Sequence, residues 1–225
     1  MLLSPLNWAV HLFSALEWGV AIVMLFRYGR LIGRKDIRRF ALFMTPHWIG
    51  SWFVLAYHVS GDRISLLLDM SELVNLVGSL SLLYATVSIL KGTGKESVAI
   101  AGALFGGMVV SGRPQSYMGN SVFDAILQVS SLVYLTFLVL LLRVRKKDPE
   151  VFSGLTVGGF WFVLVFISVT IFCMYLATEV RGYPTLSHDD LLHGLAESLL
   201  SISNLMIVLG IHKQTKRAKN VTRDS

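Results

Sequence analysis

Asp190, His193, Glu197, Ser201 and Asn204 recur at steps of three and four through the apolar stretch 191–211. At 100° per residue these five side chains share one narrow stripe of a helix. Lipid would penalise that stripe, by about 2.5–3.5 kcal/mol for one charge at the bilayer centre on insertion scales. The stripe must therefore face protein, water or a ligand. Carboxylates held in low dielectric beside histidines can bind and release protons near neutral pH. The same residue types also support a plainer role. Interhelical hydrogen bonds of about 0.6 kcal/mol each would fix the packing.

Further candidates stand in other apolar runs. His11 and Glu17 lie in the first, and Asp69, Glu72 and Asn75 open the third. Together with His193, Glu197 and Asn204 they make up the candidate ligand or proton site. Glu72 and Asn75 are the expected counterparts of the stripe, and His11 its expected neighbour. Asp190 follows Ser187 as Ser-x-x-Asp before an apolar run, the pattern of a helix N-terminal cap. His193 and Glu197 are four apart, but the repeated Glu-x-x-His pairs of di-iron bundles are missing, so no metal centre is assigned. His11, His47, His58 and His193 have the chemistry to hold chlorophyll or haem through a ring nitrogen. Each alone is also an ordinary hydrogen-bonded packing residue.

The elements that must position these groups are membrane helices. The chain has 225 residues, 54% hydrophobic and 15% charged, with mean hydropathy +0.63. Soluble domains carry about 25% charged residues. Runs of about 20 apolar residues, enough to cross a bilayer as helix, predict spans over 5–26, 40–59, 64–90, 122–142, 152–177 and 191–211. Pro46 falls about two turns into the second and predicts a kink. A Gly- and Ala-rich run over 98–110 is shorter, about 20 Å at 1.5 Å per residue. If it spans, nearly all of the 20 Lys and Arg residues fall on one side; if not, they divide evenly. The positive-inside rule then selects seven helices, with the N-terminus outside and the C-terminus cytoplasmic or stromal. The fold class is all-α, a polytopic helical membrane protein.

Helices one to three and five to seven share a layout. Each trio has a basic loop first, a nearly uncharged loop second and a polar stripe on its last helix. A 3+1+3 parallel repeat fits this layout. The expected units are 1–90, a linker 91–121 with a short helix, 122–211, and a basic disordered tail 212–225.

Several classes are excluded. No Lys lies within a span, so no retinal Schiff base can form. No Walker loop, Gly-x-Ser-x-Gly or His-Glu-x-x-His motif is present, and the reading is of a protein that is not an enzyme. The basic loops lack interleaved aromatics, so they fit anionic lipid and not nucleic acid. The single cysteine, Cys173, permits no intrachain disulfide.

Two stretches resemble known families. Ser4-Pro5-Leu6-Asn7-Trp8 with His11, Leu16-Glu17-Trp18, Arg27-Tyr28-Gly29, Tyr57-His58 and Glu72 resemble a family of multi-pass proteins of cyanobacteria and plastids. That family is named after a hypothetical chloroplast reading frame, and the likeness covers residues 3–90. Leu192-His193-Gly194, Ala196-Glu197-Ser198, Ser203-Asn204-Leu205 and Val208-Leu209-Gly210 resemble a second uncharacterised family from the same organisms, over 123–211. The resemblance implies a fusion of the two, in a thylakoid or plasma membrane. It implies no substrate; that setting and the lack of catalytic motifs together favour an accessory or assembly factor that binds other membrane proteins or pigment. The competing reading is a small proton-linked transporter or channel with an outward-facing polar cavity.

Overall fold

The computed structural model describes residues 3–92 and 116–224. The short helix expected over 98–110 lies outside the described residues. Among the described residues the chain is all-helical: α1 (Pro5–Leu31), α2 (Lys35–Phe43), α3 (Thr45–Val59), α4 (Ser65–Gly92), α5 (Asn120–Lys147), α6 (Gly154–Tyr175) and α7 (Asp190–Asp224). Five of them, α1, α4, α5, α6 and α7, are long and apolar enough to cross a membrane. Exposed apolar side chains such as Phe13, Val20, Val77 and Phe172 run along these helices. A soluble protein would hide surface of that extent, whereas a bilayer covers it.

The single second span expected over 40–59 is two helices. α2 stops at Met44, and α3 starts with Thr45 and Pro46. Proline supplies no N–H to the turn before it and disfavours helix in the preceding residue. The expected kink is a one-residue interruption at Met44, whose backbone stays near helical at φ −76° and ψ −17°. α3 alone, with 15 residues, reaches only about 22 Å at 1.5 Å per residue.

The tail expected to be disordered over 212–225 instead continues α7 to Asp224. Its first turn is tied down. The Gln214 carbonyl oxygen accepts from Ser153 N–H at 2.7 Å, and its amide donates to Val151 O at 3.3 Å.

α7 packs along α1 and α6, whereas α4 packs against α2, α3 and α5. Packing therefore crosses the expected division at residue 90. Close approach is set by small residues: a Cβ at Gly159 would meet Ile207 Cγ1 of α7 at 2.6 Å. The main core joins Phe40, Phe137, Phe152 and Phe160, all fully buried, with aliphatic residues of α1, α4 and α7. Phe40 and Phe152 centroids stand 4.8 Å apart, and Phe137 meets Phe160 edge-on at 5.4 Å, the tilted geometries that aromatic quadrupoles favour.

This core lies toward the end where α1, α4 and α5 finish. That end is also basic. Among the described residues, every Lys and Arg except Arg63 and Arg181 belongs to segments there. The opposite end carries the starts of α1, α4, α5 and α7 and the finish of α3. Just before α5, the Ser116 hydroxyl donates to Asp69, near the start of α4, at 3.1 Å.

Candidate functional site

α1 and α7 start side by side and run in parallel. Ser4 caps α1 by accepting from Asn7 N–H, with Pro5 as the first helical residue; proline suits that place because its missing N–H would have no partner there. Asp189, not Asp190, is the N-cap of α7. Its side chain accepts from Leu192 N–H at 3.2 Å and its carbonyl from His193 N–H at 2.9 Å. Arg181 forms an ion pair with the same carboxylate. Asp190 instead binds the two helices together, accepting from Ser4 N–H at 2.8 Å and Asn7 Nδ2 at 2.7 Å. Gly194 makes room for this clamp, since a Cβ there would collide with the Asn7 amide.

One turn deeper, His11 Nε2 lies 2.8 Å from His193 Nε2. Glu197 Oε2 approaches the other ring nitrogen of His11, Nδ1, at 3.6 Å. His58, at the end of α3, completes the group. Its ring centroid is 4.8 Å from that of His11 and 5.3 Å from that of His193. One ligand nitrogen from each of the three rings lies within 4.8 Å of the others, and all three residues are buried.

The end of α3 positions His58 and its partner. Gly61 N–H bonds His58 O and Asp62 N–H bonds Tyr57 O. This is a Schellman cap with Gly61 at φ +70°, the left-handed conformation glycine adopts without strain. Asp62 follows in the same region at φ +60°, which aspartate tolerates better than most side chains. Its carboxylate thereby turns back onto His58 Nδ1 at 2.8 Å. Burial pushes the Asp62 carboxyl up most strongly, but the His58 hydrogen bond and charge, with Ser187 and His193, together hold the group below the usual carboxylate range.

The rest of the α7 stripe is answered by α1. Ser201 donates to Glu17 Oε2 at 2.8 Å, and Asn204 Nδ2 reaches Ser14 O and Oγ, each at 3.0 Å. So His11, Glu17, His193, Glu197 and Asn204 form one α1–α7 seam. The residues expected opposite the stripe, Glu72 and Asn75, belong to α4. Asn75 packs on Gly50 of α3 and donates to Ser71. Asp69 accepts from Ser116 Oγ and from Met118 N–H at 2.9 Å. His47 stands apart from the three-histidine cluster, over Gly78 and 3.4 Å from Ser79 Oγ.

Two members of the cluster lie outside the predicted site: His58 is a candidate in the sequence only as one of four histidines able to hold a pigment, and Asp62 not at all. His58 is the last polar residue of its helix, and Asp62 sits in a short loop. The available signal was Gly61 directly after a helix, because a glycine cap brings the following residue back over the last turn.

Chemically, the cluster offers three imidazoles backed by carboxylates, the pattern that orients histidine toward a metal or a proton. It does not suit a tetrapyrrole between His11 and His193, whose nitrogens already touch. An apolar groove of about 660 Å³ between α1 and α3, lined by residues including Trp8, Leu12, Trp52 and Val59, flanks the cluster.

Comparison with known proteins matches two segments to families. Residues 2–88 match a family described as a protein of unknown function (DUF2499). Residues 123–216 match another, a protein of unknown function (DUF3593). A Ycf49-like protein of the cyanobacterium Synechocystis is 28% identical over 85 residues, 37% of this chain and 82% of that protein. No solved structure matches. His11 and His58 come from the first matched segment and His193 and Glu197 from the second, so these matches support a fusion of two uncharacterised families of cyanobacterial and plastid type.

Proposed function

We propose that this protein is an integral membrane accessory or assembly factor of a photosynthetic membrane, thylakoid or plasma, and that the α1–α3–α7 cluster is its ligand site. One observation carries the reading. Three buried histidines and two carboxylates meet where the two family segments join, although burying such groups without a task is costly. The cyanobacterial relative supports the setting. The lack of a nucleophile motif and the helical architecture support a helper rather than an enzyme.

The orientation follows from charge. The basic end faces the cytoplasm or stroma, and the cluster opens toward the other side. α4 and α5 both begin at the cluster end, and the one-sided distribution of Lys and Arg favours seven spans.

The test is genetic and biochemical. Deletion in a phototroph should lower one photosynthetic complex, and the tagged protein should co-purify with that complex or with pigment. A colourless, partnerless protein whose loss leaves every complex intact contradicts the reading.

A second reading, a proton-linked transporter, draws on the α1–α7 seam. Its polar contacts continue from His193 through Glu197 and the Glu17–Ser201 pair to Asn204, about 17 Å of helix. Under that reading Glu17→Gln and Glu197→Gln each abolish a pH-driven flux in liposomes. A flux unchanged by both removes it.

A further inference from the structure

Each histidine of the cluster has one nitrogen turned to its partners and one turned away. His58 Nδ1 is engaged by Asp62, and His11 Nδ1 faces Glu197. A carboxylate on Nδ1 keeps the proton there and leaves the Nε2 lone pair free. The two Nε2 atoms of His11 and His193, 2.8 Å apart, can then bond each other only if His193 carries its proton on Nε2. That choice leaves His193 Nδ1 as a bare acceptor. It is buried and has no hydrogen-bond partner among the described residues. Burying an acceptor unpaired is unfavourable. A cation among the three rings lets every inward nitrogen present a lone pair, so the 2.8 Å approach of His11 and His193 no longer depends on a proton held between them; His193 Nδ1 then carries the ring proton.

We propose that His11, His58 and His193 bind one late first-row transition-metal ion, with Asp62 and Glu197 orienting the rings. This deepens the ligand-site reading above and rests on it. Three imidazoles with an open fourth position match zinc sites that keep a place for water or substrate. Such an ion holds its nitrogens about 2.0–2.1 Å away, hence about 3.3 Å from one another. The present separations, between 2.8 and 4.8 Å, bracket that value, so ring rotations of about an ångström close the site. Nitrogen donors favour Zn²⁺, Cu or Ni over the oxygen-seeking Mg²⁺ and Ca²⁺. The ligands come from α1, α3 and α7, so the ion joins both family segments.

The experiment uses the full chain in detergent with a histidine-free tag. Zn²⁺ and Co²⁺ binding is followed by elemental analysis and by the visible spectrum of four-coordinate Co²⁺. One equivalent should bind, with excess Mg²⁺ and Ca²⁺ failing to compete. His58→Gln and His193→Gln should each remove it, while His47→Gln, outside the cluster, should leave it unchanged. Asp62→Asn keeps all three ligands and should weaken binding by about 10–100-fold, a readout that stands even if the histidine variants misfold. A folded wild-type chain with no bound equivalent overturns the inference, as does binding that Asp62→Asn does not alter. Co-purification with a photosynthetic complex is scored on the same preparations, so failure of the metal site and failure of the accessory role give separate results.

Discussion

The two ends of the bundle solve the same packing problem with different chemistry. At the basic end the interior is aromatic, and Phe40, Phe137, Phe152 and Phe160 interlock. Its polar contacts lie at the rim, where Arg34 donates to Asp36 and Asp148, both at 2.7 Å, with all three side chains part-exposed. At the cluster end the interior itself is polar. His11, His58 and His193 occupy the place an aromatic core would fill, and Asp62 and Asp189 are buried beside them. The first arrangement holds helices together and needs no ligand. The second spends well-packed volume on groups that cost stability, which is why the proposed function is placed there and not at the basic end.

Breaking the contrast should give graded effects. Phe160→Ala removes a fully buried ring from the aromatic core and should cost about 3–5 kcal/mol, seen as the largest drop in thermal or denaturant midpoint in detergent. Gly194→Ala should come next. Its methyl displaces the Asn7 amide from Asp190, a loss of about 1–3 kcal/mol, and it should disturb the histidine cluster while leaving the aromatic end ordered. Solution NMR or hydrogen exchange resolved by helix checks that division.

Gly61→Ala should cost about 1–2 kcal/mol, the penalty for a side chain at left-handed φ, and should release Asp62 from His58. Arg34→Ala should be the mildest, within about 0–1 kcal/mol, as part-exposed ion pairs are. The Arg34 hydrogen bond holds the Asp36 carboxyl below its usual range. A depressed carboxylate contributes above its unfolded pKa and loses that contribution as pH falls through the folded one. The Arg34→Ala difference should therefore fade in acid and in high salt, whereas the Phe160→Ala difference should not.

How much of this was legible in the sequence depends on range. Five of the spans were, those of α1, α4, α5, α6 and α7, because apolar runs of bilayer length declare themselves locally. The stripe on α7 was, because helical period puts His193, Glu197, Ser201 and Asn204 on one face. The partner of the stripe was not. Glu72 and Asn75 had the right chemistry, but helix order in a bundle is set by contacts such as Gly194 against Asn7, which no local pattern announces. The interruption at Met44 was half legible: Pro46 marks a disruption without saying whether the helix bends or restarts. The extension of α7 to Asp224 was missed because its polar composition resembles a solvated tail. Gln214 reaching Val151 and Ser153 is a tertiary contact. Asp62 was missed for a similar reason, since its role arises from a cap geometry and not from a periodic face.

The pairing of α1 with α7 underlies the cluster, the seam and the joining of the two family segments. It can be tested by a crosslink. A Cβ at position 194 would lie 2.9 Å from Asn7 Cγ, which puts the two Cβ atoms near the 3.5–4.5 Å of a disulfide, and replacing Asn7 by the smaller cysteine removes the collision. Asn7→Cys with Gly194→Cys, in a Cys173→Ser background and oxidised mildly in native membranes, should form an intramolecular disulfide detected in the linked peptides by mass spectrometry. Asn75→Cys with Gly194→Cys should not. A link from 194 to 75 with none to 7 would contradict the account.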